Sequence, residues 1–467
     1  MKKTTAWIIT LVVWLLGAII LIIHPFVPDL PISGHWVLAG LFLALPMWIV
    51  MPGGIPRSIA GLLMLGFLLF GSKLPFGAIF GGFADPALWT LIPAFAFGYV
   101  LTKTGLGRRL ALYVLRTFPL TKVGLAIAWI IIGVVLSALT PSIIVRIAIV
   151  MPLVVSFLEI LRIPDRSPQA AFISMLAFVG ATIPGNGWLT GSLAGLINMG
   201  FLPHEMRAGI DWSSYTVSQI IPWLIIVIVL LIYIFIFFRP GSFQGVKEQI
   251  NKEYQNLGSI SSHERITLII LMCCFLGFIT TPWHHVGSAA ICLIGFFLLY
   301  VFNVMEAKDI ATGVNWDLIL FIGSALSIAP IFKVSGVGEW LCQLISPCVA
   351  SLSANAWVFV LVLTLIGFLM RFIDVAFGLP TAALILALTP VYSQFGIHPL
   401  VACTISSVVQ LFFFFTYQSS FAIIANSMTQ NRGWSDKQLM VGGVGYVVAV
   451  VISMSISVFY WRSLGLI

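Results

Sequence analysis

Four stretches of this sequence place charged or backbone-freeing residues inside otherwise apolar runs. The first reads Ser137-Ala-Leu-Thr140-Pro141-Ser142-Ile-Ile-Val-Arg146. Thr-Pro-Ser ends one half-helix and caps the next, which leaves N–H groups of the second half-helix facing a cavity. Such an end carries about half a positive charge and favours an anion. Arg146, one turn on, reinforces it. An arginine at membrane depth costs about 2.5–3.5 kcal/mol on insertion scales, so a binding role is its default reading. The structural alternative is an arginine that pairs with helix-end carbonyls.

The second stretch carries Arg371, Asp374, Gly378, Pro380 and Thr381. Arg371 and Asp374 lie three apart and share a helix face. They either neutralise each other or form a gate or a cation-coupling group. The third and fourth stretches are Thr182-Ile-Pro184-Gly185-Asn186-Gly187 and Thr416-Tyr-Gln418-Ser419-Ser420. They offer freed carbonyls and neutral hydroxyls, oxygen ligands of the kind a hard cation such as Na⁺ takes. Ser and Thr in membrane helices also bond their own backbone, which is the alternative here. The anion-binding set is therefore Thr140, Ser142, Arg146, Asn186, Gly378, Thr381, Thr416 and Ser419. The Na⁺ set is Ser142, Thr182, Gly185 and Gln418, and Arg371 with Asp374 forms the coupling or gating pair.

The elements that position these groups must be membrane helices. Of 467 residues 60% are hydrophobic and 8% charged, against about 25% charged in a soluble domain. Soluble enzymes and nucleic-acid modules are excluded. The net charge of +8 reads as loop cations that set orientation. The six cysteines form no C-x-x-C pair and read as buried packing thiols. No H-E-x-x-H and no Walker loop occurs, so any transport runs on gradients, with no cofactor beyond a coupling Na⁺. Paired intramembrane carboxylates are missing too, which argues against a membrane-embedded enzyme. A sensor without flux is a further alternative.

Clear spans cover 7–23, 36–50, 55–71, 88–101, 219–238, 266–281, 286–303, 318–332 and 439–460. Lys2 and Lys3 before the first resemble a signal peptide, but no small-residue cleavage site follows, so it reads as a retained span. Between the spans lie four broken segments, 122–161, 169–199, 354–392 and 400–428. Broken spans are tolerated where the backbone lines a cavity or is buried in protein. The order repeats at a spacing of about 230 residues: Trp89 with Lys103 and Thr104–Gly107 matches Trp316 with Lys333 and Ser335–Gly338. Ile132-Gly133 matches Ile366-Gly367, and Thr182–Asn186 matches Thr416–Ser420.

With a cytoplasmic N-terminus and 122–161 and 354–392 as re-entrant hairpins, seventeen Lys and Arg fall inside and four outside, as the positive-inside rule requires. The two repeats then have opposite topology and the C-terminus lies outside. Inverted repeats with broken helices are the signature of secondary transporters, with substrate held at the breaks. The expected domains are an N-terminal helix (1–35), a first repeat (36–238), a cytoplasmic linker (239–263) and a second repeat (264–467). The linker reads as a solvated loop.

Gly82-Phe-Ala-Asp-Pro-Ala-Leu-Trp89 followed by Lys103-Thr-Gly-Leu-Gly-Arg-Arg109 resembles the G-F-S-N-P-x-x-W…K-T-G-L-G-R-R pattern of the divalent anion:sodium symporter family, carriers of dicarboxylates, tricarboxylates and sulfate. The resemblance implies an all-α polytopic fold of about eleven transmembrane helices plus two re-entrant hairpins in two inverted-topology repeats. It also implies a homodimer, elevator-type alternating access at the cytoplasmic membrane and coupling to Na⁺. The family's Ser-Asn-Thr at each hairpin tip is replaced: only Ser142 and Arg146 remain in the first, and Phe377-Gly378-Leu379 stands in the second. Asp374 takes the place of a frequent Glu, and Thr381 matches a family Thr. The expected function is secondary transport of a small anion, a di- or tricarboxylate or similar, coupled to Na⁺. The alternative is sodium-independent exchange or proton coupling through Asp374.

Overall fold

The computed structural model describes residues 3–119, 121–207, 209–238, 246–353, 355–374 and 378–467, among which every regular element is a helix. Lys2, Arg239, Phe377, the start of the expected linker and residue 354 of the expected second hairpin lie outside the described residues. The first half runs α1 (Lys3–Ile23), α2 (Ile32–Val50), α3 (Arg57–Gly71), α4 (Phe76–Ile79), α5 (Pro86–Lys103), α6 (Leu106–Thr117), α7 (Lys122–Leu139), α8 (Ile143–Ile160), α9 (Pro168–Thr182), α10 (Leu193–Phe201) and α11 (Trp212–Phe237). After α12 (Val246–Asn256) come α13 (Ser262–Ile279), α14 (Thr281–His284), α15 (Ser288–Val301), α16 (Ala307–Gly313), α17 (Trp316–Leu326), α18 (Ile328–Ser335) and α19 (Val337–Ser353). The chain ends with α20 (Ala356–Met370), α21 (Leu379–Ala387), α22 (Thr389–Gln394), α23 (Pro399–Gln410), α24 (Ser420–Met428) and α25 (Asp436–Ser463).

Among the described residues nine segments are long and apolar enough to cross a membrane, and α3, α15, α20 and α23 are shorter apolar helices. The protein is a multi-pass, all-α membrane protein. Local chemistry sets several boundaries. Asp85 accepts a hydrogen bond from the Ala87 N–H (2.8 Å) and Pro86 opens α5, a capped start with proline where its missing N–H costs nothing. The stretch expected as a span at 318–332 lies within one candidate span, Trp316–Ser335, in which Ser327 separates α17 from α18. Its hydroxyl donates to the Gly323 carbonyl (3.0 Å) and accepts from the Gly82 N–H (3.1 Å).

Packing exchanges elements between the halves. α3 packs on α17 and α5 on α15; α8 and α9 pair in the first half as α21 and α23 do in the second. α24 of the second half lies on α8 of the first, α10 of the first lies on α21 of the second, and α11 and α25 run together. At the last contact Ser453 donates to the Pro222 carbonyl (2.7 Å) and the Trp461 indole to the Ser218 carbonyl (3.0 Å). α9 is buried at every position from Ala170 to its end at Thr182.

Two expectations need correction. The linker is more than a solvated loop: α12 docks on α6. Arg109 of α6 donates to both Glu264 oxygens (2.6 and 3.2 Å) and to the carbonyls of Leu257, Gly258 and Ser259. Arg108 pairs with Glu253 at 3.1 Å, and Arg116 lies over the Tyr254 ring at 5.1 Å. Hydrophobic pattern alone missed this because polar pairing holds the helix. The cysteines also divide: Cys274, Cys292 and Cys403 are buried, but Cys273 is exposed and Cys342 half-buried. Cys273 and Cys274 are neighbours on one helix and so face different directions.

Candidate functional site

At the first break, α7 ends at Leu139 and Ser142 caps α8, its hydroxyl accepting from the Val145 N–H (3.4 Å). The Thr140 hydroxyl accepts from the Ser142 N–H (3.2 Å). α9 stops at Thr182, whose hydroxyl turns back to the Phe178 carbonyl (2.7 Å). Pro184 removes the N–H that would continue the helix, and two short 3₁₀ turns, Pro184–Gly187 and Leu189–Gly191, lead into α10. The Asn186 amide donates to the Thr182 and Ile183 carbonyls (2.8 and 3.0 Å).

Arg146 joins the hairpin to this turn. It is fully buried, and its Nη1 donates to the Gly191 carbonyl at 2.9 Å. A Cβ on Gly185 would stand 2.2 Å from Arg146 Nη1 and 2.3 Å from the Gly191 oxygen, so only glycine lets the guanidinium reach the break. No described carboxylate lies within ion-pair distance of Arg146, and its Nε and Nη2 have no hydrogen-bond partner. The Asn186 Oδ1, the Trp188 indole nitrogen and the Ser192 hydroxyl around the same turn are also buried without a partner.

The second break is built otherwise. Arg371 is buried at the end of α20, and its Nη2 donates to the Gln418 carbonyl at 2.6 Å. Its Nη1 donates to the Asp374 carbonyl and lies 3.8 Å from Asp374 Oδ1. Asp374 Oδ2 accepts from the Thr381 N–H (3.1 Å) and hydroxyl (2.8 Å), capping α21. Gly378, with φ of 70°, takes the left-handed turn before it. Arg57, at the start of α3, is a third charge within electrostatic reach of Asp374 and Arg371. The second arginine therefore has carboxylate company, whereas the first has none.

The structure gathers Ser142, Arg146, Thr182, Gly185 and Asn186 at one turn, and Arg371, Asp374, Gly378, Thr381 and Gln418 at the other. Ser419 caps α24 through the Ala422 N–H (3.3 Å). Thr416 points elsewhere, donating to Asp436 of α25 at 2.9 Å. Among the described residues no group of three or more His, Cys, Asp or Glu could hold a metal. Of the oxygen set expected for Na⁺, the Ser142 hydroxyl accepts from the Val145 N–H, the Thr182 hydroxyl donates to the Phe178 carbonyl, and the Gln418 carbonyl accepts from Arg371.

Sequence reasoning passed over Trp188 and Ser192, although both lie inside the broken segment. An indole counts as apolar in a hydropathy reading, so its N–H went unweighed. It also passed over Asn198 of α10. Asn198 donates to the Ser407 hydroxyl (2.8 Å) and accepts from Gln410 (2.8 Å) and Ser406 (3.1 Å), a buried network that ties α10 to α23.

The family model for the sodium:sulfate symporter transmembrane region matches residues 2–467. The chain belongs to this family. Among its relatives, the chloroplastic dicarboxylate transporter 1 of Arabidopsis thaliana is 23% identical over 81% of this chain and 69% of its own length. The citrate/succinate antiporter of Escherichia coli K12 is 23% identical over 60% of this chain and 59% of its own. The inner membrane protein YbhI of the same strain is 20% identical over 92% of each chain. This sodium:sulfate symporter family member is a transporter rather than an enzyme, as its sequence motifs implied.

Proposed function

We propose that this protein carries a small anion, a di- or tricarboxylate or similar, across the cytoplasmic membrane, and that Arg146 binds it. The observation that carries this reading is a fully buried guanidinium with no carboxylate partner and two unbonded N–H donors. A buried charge left unpaired costs several kcal/mol. An entering anion removes that cost, so the site attracts one. The names of the Arabidopsis and E. coli relatives, a dicarboxylate transporter and a citrate/succinate antiporter, agree with such a substrate. The contacts exchanged between the halves support two repeats (36–238 and 264–467); the reading further takes them as inverted and working by an elevator-type cycle, in a homodimer with the N-terminus cytoplasmic and the C-terminus outside.

A second feature favours operation without sodium. At each break a guanidinium donates to a carbonyl freed by the broken helix, Arg146 to Gly191 and Arg371 to Gln418. A fixed cation on those oxygens repels a mobile one, so exchange of one anion for another is the coupling this geometry supports. Asp374 acts as the cap of α21 rather than as a proton carrier.

The test is uptake of labelled succinate and citrate by proteoliposomes preloaded with unlabelled substrate. Arg146→Ala lowers uptake about a hundredfold, the scale of a lost buried charge contact of about 3 kcal/mol, while the protein still accumulates in the membrane. Replacing Na⁺ by choline leaves wild-type exchange unchanged. Full transport by the variant removes Arg146 from the site, and a strict Na⁺ requirement restores symport.

A further inference from the structure

The first break contains more hydrogen-bond donors than its own backbone uses. Trp188 sits between the two 3₁₀ turns, and its indole nitrogen is buried without an acceptor. A Cβ on Gly191 would stand 2.4 Å from that nitrogen and 2.2 Å from the Gly185 oxygen, while a Cβ on Gly185 would stand 2.2 Å from Arg146 Nη1. The two glycines lie against each other, with the indole N–H beside Gly191 and the guanidinium beside Gly185. Ser192 follows directly, buried, its hydroxyl unpartnered; it stands at the start of α10 but makes no cap hydrogen bond there. The N–H groups at that helix end add positive potential. A cluster of unsatisfied donors around a lone cation is costly inside a protein unless an acceptor arrives.

We propose that the Trp188 indole N–H and the Arg146 guanidinium form a two-sided clamp on one oxyanion group of the substrate, with the Ser192 hydroxyl as a third donor. This rests on the transport reading above and adds a specificity residue to it. Three donors and one positive charge suit a single anionic head, so the clamp holds one carboxylate of a diacid and the remainder of the molecule meets other walls. A carboxylate and a sulfate share the chemistry the clamp needs, and the two are separated by experiment.

In the exchange assay, Trp188→Phe keeps the packed ring and removes the N–H. It raises the half-saturating concentration of succinate about 10- to 100-fold, the range for a hydrogen bond to a charged group, with the maximal rate within about twofold. Trp188→His, which restores a ring N–H, recovers part of the loss, as a purely packing role would not. The same shift with sulfate as substrate makes the clamp a general oxyanion site; a shift with succinate alone makes it a carboxylate site. On the unaltered protein, succinate protects Trp188 from N-bromosuccinimide oxidation, read by peptide mass, while tryptophans distant from the break oxidise at their usual rate. An unchanged half-saturation in Trp188→Phe, or no protection in the unaltered protein, overturns the clamp. If Arg146→Ala is inactive at the same time, the transport reading stands. If Arg146→Ala is also unaffected, both fall.

Discussion

At the scale of residues, the two buried arginines show how neighbours decide a role. Arg371 shares its surroundings with Asp374 and Arg57 and holds the hairpin's second arm in place; Arg146 has only a carbonyl. Position relative to the break does not foretell this, because both donate to a freed carbonyl. The approach of Arg146 depends on Gly185. Gly185→Ala would bring its new carbon within 2.2 Å of Nη1 and 2.7 Å of the Ser137 Cβ. The backbone oxygen of Gly191, 2.3 Å from that carbon, cannot rotate away. The expected result is a loss of about 1–3 kcal/mol, the cost of overpacking a well-packed interior, with transport lost as the guanidinium shifts. Thermal unfolding in detergent beside an uptake assay measures both; wild-type values in each would mean the break has room to spare. The sequence made Arg146, Thr182 and Asn186 legible because polar groups stand out in apolar runs. Trp188 stayed hidden because its polar atom rides on an apolar ring, and Thr416 misled because its partner, Asp436, lies twenty residues on in another helix.

At the scale of elements, boundaries and breaks were readable wherever proline, glycine or a capping side chain punctuates the pattern. Docking was not, where charge pairing does the work. α12 is the clearest instance: apart from Ile250 it buries little apolar surface, and Arg109 secures the turn after it by capping three carbonyls and pairing with Glu264. Arg109→Ala leaves those acceptors without a donor and Glu264 without its cation. Amide hydrogen exchange across 246–259 then rises about tenfold or more, while exchange in α9 is unchanged; equal protection in the variant would show that α12 holds by its other contacts. A similar junction joins α5 to α16, where Asp309 accepts from Lys103 (2.6 Å), Tyr99 (2.8 Å) and the Glu306 N–H (2.7 Å). Burial pushes this carboxyl up, but those donors outweigh it and hold it down at about 2. Because the folded value lies below the ordinary one, the junction's contribution is complete above the ordinary carboxylate range and fades only as pH falls toward 2. It is no switch at physiological pH.

At the scale of the whole molecule, the class was legible from composition alone, since so few charges cannot clothe a soluble surface. Orientation rests on the distribution of lysines and arginines, and this yields a direct test. In a cysteine-free background, Glu205→Cys, at the exposed Glu205–Lys333 ion pair, reacts with a membrane-impermeant maleimide in intact cells. Lys252→Cys, on the exposed side of α12, reacts only after permeabilisation. The reverse pattern would turn the molecule over. What composition could not convey is which helices meet, because lipid-facing and buried spans are equally apolar and only small residues and scattered polar contacts mark the interfaces.

The crossing of partners between halves has a consequence for the order in which the protein is made. α3 is complete at Gly71, but its partner α17 begins only at Trp316, some 245 residues later. At about 5–20 residues per second of synthesis, α3 waits roughly 10–50 seconds in the bilayer with one face bare. α5 and α15 repeat the delay on a shorter scale. Neither half can mature alone, and the nascent first half, with Arg146 already inserted, must be sheltered by lipid or by the insertion machinery until the second arrives.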